Sequence, residues 1–148
     1  MELIGNISAV LGNKPTEVWS IAPDATVFEA IQMMADKNIG ALPVMTAGKL
    51  TGVISERDYT RKVALKGKSS RETQVRQIVS SPVVSATPAH TVAECMRLMT
   101  HHRVRHLPVL EGDLVVGIVS IGDLVNWTIS AQSIAIQQLE TYIAGHPG

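Results

Sequence analysis

The sequence predicts an α+β fold made of two copies of one β-α-β-β-α unit packed about a pseudo-twofold axis. Three observations carry the prediction. Residues 19–58 align with residues 84–123 at an offset of 65 without a gap, and twelve of the 40 aligned positions are identical. Within each copy the apolar spacing switches from helical to strand-like at the same point. A single copy, a three-stranded sheet with helices on one side, leaves apolar surface open, which a second copy covers.

The elements follow in the same order in both copies. Val18–Ile21 and Val83–Ala86 read as short extended leads ending near Pro23 and Pro88, because proline disfavours helix in the residue before it. Thr26 with Glu29, and Thr91 with Glu94, fit a capping box that opens a helix. Val27, Ile31 and Met34 then recur at helical spacing, as do Val92, Cys95, Met96 and Met99. Cys95 sits on that apolar stripe and reads as core. Ala41–Met45 and His106–Leu110 read as strands. Short turns (Thr46–Lys49 and Glu111–Asp113) join them to Leu50–Ile54 and Leu114–Val119 as antiparallel hairpins. A second helix starts at Ser55 and at Ser120. The chain therefore divides into a first repeat with an N-terminal lead-in over 1–65, a connector over 66–80, and a second repeat over 81–148. Thr73–Val79 reads as a helical lead-in to the second copy. The last helix runs on through Ile129, Ile136, Leu139 and Ile143, with no counterpart in the first copy. Its surplus apolar face predicts a homodimer.

Composition bounds the function. The 148 residues are 45% apolar and 18% charged, which suits an ordered globular chain. The single cysteine excludes an internal disulfide framework and a multi-cysteine zinc site. Met1–Gly5 lacks the basic end and apolar run of a secretory leader, and no stretch has the length of a membrane span. The expectation is a cytoplasmic protein with no membrane partner. Thirteen Lys and Arg balance thirteen Asp and Glu, but unevenly: residues 1–54 carry a net −2, residues 55–105 a net +6 and residues 106–148 a net −4. A basic middle in a neutral chain fits an anion site of limited size, or solvated helix faces, better than a nucleic-acid surface. Trp19, Phe28, Tyr59 and Trp127 are too sparse for a base-stacking platform.

The recurrent polar pairs are Ser55 with Asp58 and Ser120 with Asp123, both where a strand passes into a helix. Two readings stand side by side. Ser-x-x-Asp is a capping-box variant that needs no ligand. The same geometry also suits a nucleoside phosphate: a helix N-terminus and a serine hydroxyl for the phosphate, and a carboxylate for the ribose hydroxyls. Arg57 lies inside the first pair. Arg103, Arg105 and His106 stand where the first copy has Asn38, Gly40 and Ala41, so the copies diverge where a ligand's charge would be met. His101, His102 and His106 span a helix end and a strand start without a demonstrable convergence, so no metal is expected. Phosphate-loop, dinucleotide-fingerprint and hydrolase motifs are missing from the sequence, and no catalytic constellation stands out, so the protein reads as non-enzymatic.

The duplicated strings Ile39-Gly-Ala-Leu-Pro-Val44 and Arg105-His-Leu-Pro-Val109, each followed by Gly-x-x-Ser-x-x-Asp, resemble a tandem pair of CBS (cystathionine β-synthase) domains. The resemblance covers nearly the whole chain. It is strongest to stand-alone CBS pairs, through Ser55–Lys62, Gly67–Ser70, Arg103–Pro108 and Val119–Leu124. It implies a regulatory module that binds an adenine nucleotide between the copies, NAD/NADH or AMP before ADP, ATP or S-adenosylmethionine, and signals to a partner protein in trans. Asp58 and Asp123 would hold ribose, and Ser55 and Ser120 would meet phosphate. Arg57, Arg103, Arg105 and His106 would add charge, and Ile39, Gly40 and Ala41 would enclose the adenine. Two departures stand out: Ile78-Val79-Ser80 replaces the family's Ile-Met-Thr, and Gly122 replaces the arginine present at Arg57. The two sites are therefore expected to differ. The competing reading is a ligand-free interaction module whose Ser-x-x-Asp pairs are only helix caps.

Overall fold

The computed structural model describes residues 5–12, 17–79 and 83–145. Residues 1–4 of the segment read for a leader, and Ser80, lie outside them. The chain opens with α1 (Ile7–Leu11), capped by Asn6, whose side chain accepts from the Ala9 amide at 3.1 Å. The first repeat follows with α2 (Val27–Lys37), β1 (Ala41–Thr46), β2 (Lys49–Ser55) and α3 (Glu56–Tyr59). A π-helical turn at Thr60–Ala64 extends α3, and a 3₁₀ turn at Val75–Gln77 closes the connector. The second repeat supplies α4 (Val92–His102), β3 (His106–Glu111), β4 (Leu114–Ser120) and the long α5 (Ile121–Gly145).

Local chemistry explains these bounds. Both expected capping boxes form: Glu29 N donates to Thr26 Oγ1 at 3.1 Å, Glu94 N to Thr91 Oγ1 at 3.0 Å, and each glutamate accepts from its threonine's amide. Those bonds hold the Glu94 carboxyl below its ordinary pKa, the backbone bond to Thr91 first and the hydroxyl second. α2 and α4 end at left-handed residues, Asn38 (φ 54°) and Arg103 (φ 55°). Each hairpin closes on two residues, Ala47-Gly48 and Gly112-Asp113, with Gly48 and Gly112 at positive φ, and each carries a bulge, after Val44 and after Val109.

The leading β-strand of each repeat is reduced to one residue. Ile21 bridges Val44 in parallel and Ala86 bridges Val109, so each ordered sheet has two strands. The lead donates one backbone bond and accepts one (Ile21 N to Pro43 O at 3.0 Å, Met45 N to Ile21 O at 3.0 Å), and Pro23 follows too closely for a longer ladder.

The core divides in two, and the repeats exchange their lead-ins. Ile7 and Val10 of α1 are buried with Val92, Cys95, Met99, Leu107, Val119 and Leu124 of the second repeat. Val75 and Ile78 are buried with Val27, Met34, Leu42, Ile54 and Val63 of the first. Backbone bonds tie the exchange reciprocally: Val92 N donates to Gly5 O at 3.1 Å, and Val27 N to Thr73 O at 2.8 Å. Residues 73–79, expected to lead into the second copy, thus pack on the first, and the N-terminal lead-in, grouped by sequence with the first, packs on the second. Cys95 is fully buried, as its place on the stripe predicts, and burial pushes its pKa up to about 11.

Candidate functional site

α3 begins where β2 ends, and Ser55 is its cap. The Ser55 hydroxyl accepts from the Asp58 amide at 3.2 Å and donates to Asp58 Oδ2 at 3.0 Å, while the Ser55 amide donates to the same oxygen at 2.9 Å. The second copy repeats the cap, with Asp123 N to Ser120 Oγ at 3.1 Å and Ser120 N to Asp123 Oδ2 at 2.8 Å. The amides of Glu56 and Ile121 are also occupied, by the carbonyls of Gly40 at 3.0 Å and Arg105 at 2.9 Å. Two amides of the first α3 turn are therefore satisfied inside the protein. That leaves less of this helix terminus open to an anion than its position alone suggests.

Those cations converge. A cleft of about 440 Å³ opens between the repeats, walled on one side by Ser55, Arg57, Asp58, Arg61 and Lys62. Arg103, Arg105 and His106 stand on the other, with Val53, Val83, Val84 and Val104 as apolar floor. The structure thus brings together six of the expected residues: Ser55, Arg57, Asp58, Arg103, Arg105 and His106. The Arg57 guanidinium is held below its ordinary pKa, first by partial loss of solvent and then by the positive charges of Arg61 and Arg105. Like charges facing one another across a cleft raise its affinity for an anion that neutralises them. Asp58 keeps acceptor capacity: Oδ2 serves the cap, and Oδ1 pairs with Lys62 Nζ at 3.2 Å.

Arg61 and Lys62 were not among the sequence candidates. Both lie on the π-helical turn, which rotates them relative to a regular α-helix, and such turns are frequent at functional sites. The available signal was the spacing of Asp58 and Lys62, one helical turn apart inside the basic middle segment.

The remaining candidates lie elsewhere. A second cleft, of about 470 Å³, is the pseudo-symmetric counterpart: Val18, Trp19, Lys37, Ile39, Ala41 and Ile118 occupy the positions of Val83, Val84, His102, Val104, His106 and Val53. Ser120 and Asp123 are not among its described lining residues. Its described lining residues include no arginine either. Lys37 Nζ instead rests 3.9 Å over the Trp19 ring, and Ser8 and Leu11 of α1 form part of the wall. Gly40 lines neither of these clefts; it borders a smaller one with Asn38, Ile39 and Glu56, and a Cβ there would stand 3.2 Å from His106 Nε2. Among the described residues no group of three or more His, Cys, Asp or Glu could hold a metal ion, and no helix is long and apolar enough to cross a membrane.

Comparison with known proteins agrees with this architecture. The CBS domain family profile matches residues 14–65 and again residues 75–130. The chain is 39% identical over 127 residues to the CBS domain-containing protein CBSX3, mitochondrial, of Arabidopsis thaliana, covering 82% of this chain and 62% of that one. A solved structure of a protein with CBS domains from Burkholderia ambifaria MC40-6 superposes with a TM-score of 0.82 at 41% identity, covering 86% and 96% of the two chains. A hexameric CBS-CP12 protein from bloom-forming cyanobacteria superposes with a TM-score of 0.75 at 27% identity, covering 84% and 68%.

Proposed function

The chain belongs to the CBS-domain family as a tandem pair, and from that premise we propose that it is a non-enzymatic regulatory module that binds an adenine nucleotide, NAD(H) or AMP foremost, in the arginine-bearing cleft. The observation that carries this reading is the convergence of Arg57, Arg61 and Arg105 on one wall-to-wall space beside Asp58. The guanidinium forks meet the phosphate, and the free face of Asp58 Oδ1 accepts from ribose hydroxyls. The valine floor receives the base. The second cleft, with one lysine stacked on Trp19, is the weaker anion site of the two. In this reading the output passes to a partner protein in trans or through contact with a second copy of this chain. The oligomeric CBS-CP12 relative supports self-association.

The observed caps also favour a second reading, in which Ser55, Asp58, Ser120 and Asp123 only start helices and the module is a ligand-free interaction scaffold. Titration calorimetry with AMP and with NAD on the wild type and on Arg105→Ala separates the two. Saturable binding that the substitution weakens supports the sensor. No heat with either nucleotide supports the scaffold.

A further inference from the structure

Beyond Trp127, α5 leaves the body of the second repeat, and every residue from Gln132 to Ala144 is exposed. Six exposed residues of α5, five of them apolar, follow a pattern of their own, while Ile134 and Tyr142 are exposed off it. Val125, Ile129, Gln132, Ile136, Leu139 and Ile143 succeed one another at steps of four, three, four, three and four. That is a heptad seam, with isoleucine at every a position and Val125, Gln132 and Leu139 at the d positions. α5 meets its own chain through another side, where Leu124 is fully buried and Trp127 and Thr128 are partly so.

We propose that the a/d seam of α5 pairs with the same seam of a second copy as a parallel two-stranded coiled coil in register at Gln132. Three features select this occupant. Branched isoleucine at a with leucine at d, as at Leu139, favours two strands in parallel. Gln132 is self-complementary, since an amide both donates and accepts, and in a parallel pair d faces d, so each amide meets its own copy. An antiparallel pair sets d against a, which places the amide against isoleucine without a partner. Glu140 is the one charged residue between Asp123 and Gly145, so a second copy meets little like-charge repulsion, and no lysine or arginine draws the helix to anionic lipid.

This inference refines the self-association included in the proposed function, and the test keeps the two apart. Full-length Leu139→Cys and Thr141→Cys are oxidised mildly, with the solution mass of the wild type measured by light scattering. Leu139 lies at d and Thr141 on the outer face of the helix, and the fully buried Cys95 does not compete. The expected result is a wild-type mass twice that of the chain, a covalent dimer formed to near completion by Leu139→Cys, and none by Thr141→Cys. A doubled mass with no cross-link in Leu139→Cys, or with equal cross-linking in both variants, overturns the parallel coil while leaving self-association standing. A monomeric mass overturns both.

Discussion

Lys62 Nζ stands 3.2 Å from Asp58 Oδ1 and at the same time donates to the Ile78 carbonyl at 2.8 Å. One lysine therefore anchors the carboxylate read as the ribose acceptor to the exchanged lead-in of the connector. Lys62→Met is expected to lower stability by about 1 kcal/mol or less, since the pair is partly exposed, and to weaken binding of AMP. Chemical denaturation and calorimetry on the same variant check both halves of the statement.

If the arginine-bearing cleft holds the nucleotide as proposed, its charge should make the affinity depend on the ligand's phosphate. Arg57→Ala should weaken AMP more than adenosine, and added salt should reduce the difference between the two ligands in the wild type. Competition binding at low and high ionic strength measures it. Equal losses for AMP and adenosine would contradict the phosphate assignment.

Arg103 ends α4 in the left-handed conformation, at the position where the first repeat has Asn38. A side chain with a Cβ is strained there, and glycine is not. Arg103→Gly should therefore gain about 1 kcal/mol of stability while losing nucleotide affinity, a trade visible as a raised melting temperature and a weakened titration. A substitution that lowers both would remove the functional reason offered for the strained residue.

Burial pushes the Cys95 thiol up to about 11, and its counterpart in the first copy, Ala30, is equally buried. The folded protein holds this proton more tightly than the unfolded chain does. The contribution is thus complete below about pH 9 and lost as the pH rises toward about 11. Stability of the wild type should fall more steeply over that window than that of Cys95→Ala, measured by denaturant titration at successive pH values. The native thiol should also react slowly with aromatic disulfides at neutral pH.

The hairpins and the capping boxes were readable because each is a local pattern, with Thr26 and Glu29, and Ser55 and Asp58, three residues apart, and the duplication because it holds one offset of 65 without a gap. The packing of the lead-ins was not. Ile7, Val10, Val75 and Ile78 are short apolar sets whose partner core is a tertiary choice, and sequence order suggested the opposite one. The π-helical turn that aims Arg61 and Lys62 at the cleft leaves no periodic trace over five residues. The divergence of Arg103, Arg105 and His106 from Asn38, Gly40 and Ala41 did point to the cleft that carries the charge. The cap bonds of Ser55 and Asp58 are the reason the proposed phosphate contacts are assigned to the guanidinium groups and not to the helix terminus.

The central claim is that the cleft at Asp58 binds an adenine nucleotide and that its pseudo-symmetric counterpart beside Trp19 and Lys37 is not its equal. Thermal denaturation of nucleotide-stripped protein with AMP, ADP, ATP, NAD, NADH and S-adenosylmethionine tests it on the wild type, Asp58→Ala and Asp123→Ala, because a ligand of the native state raises the midpoint with concentration. The account predicts a selective, concentration-dependent rise that Asp58→Ala abolishes and Asp123→Ala largely retains. A midpoint that no nucleotide moves in any of the three proteins would contradict it and leave both serine–aspartate pairs as helix caps.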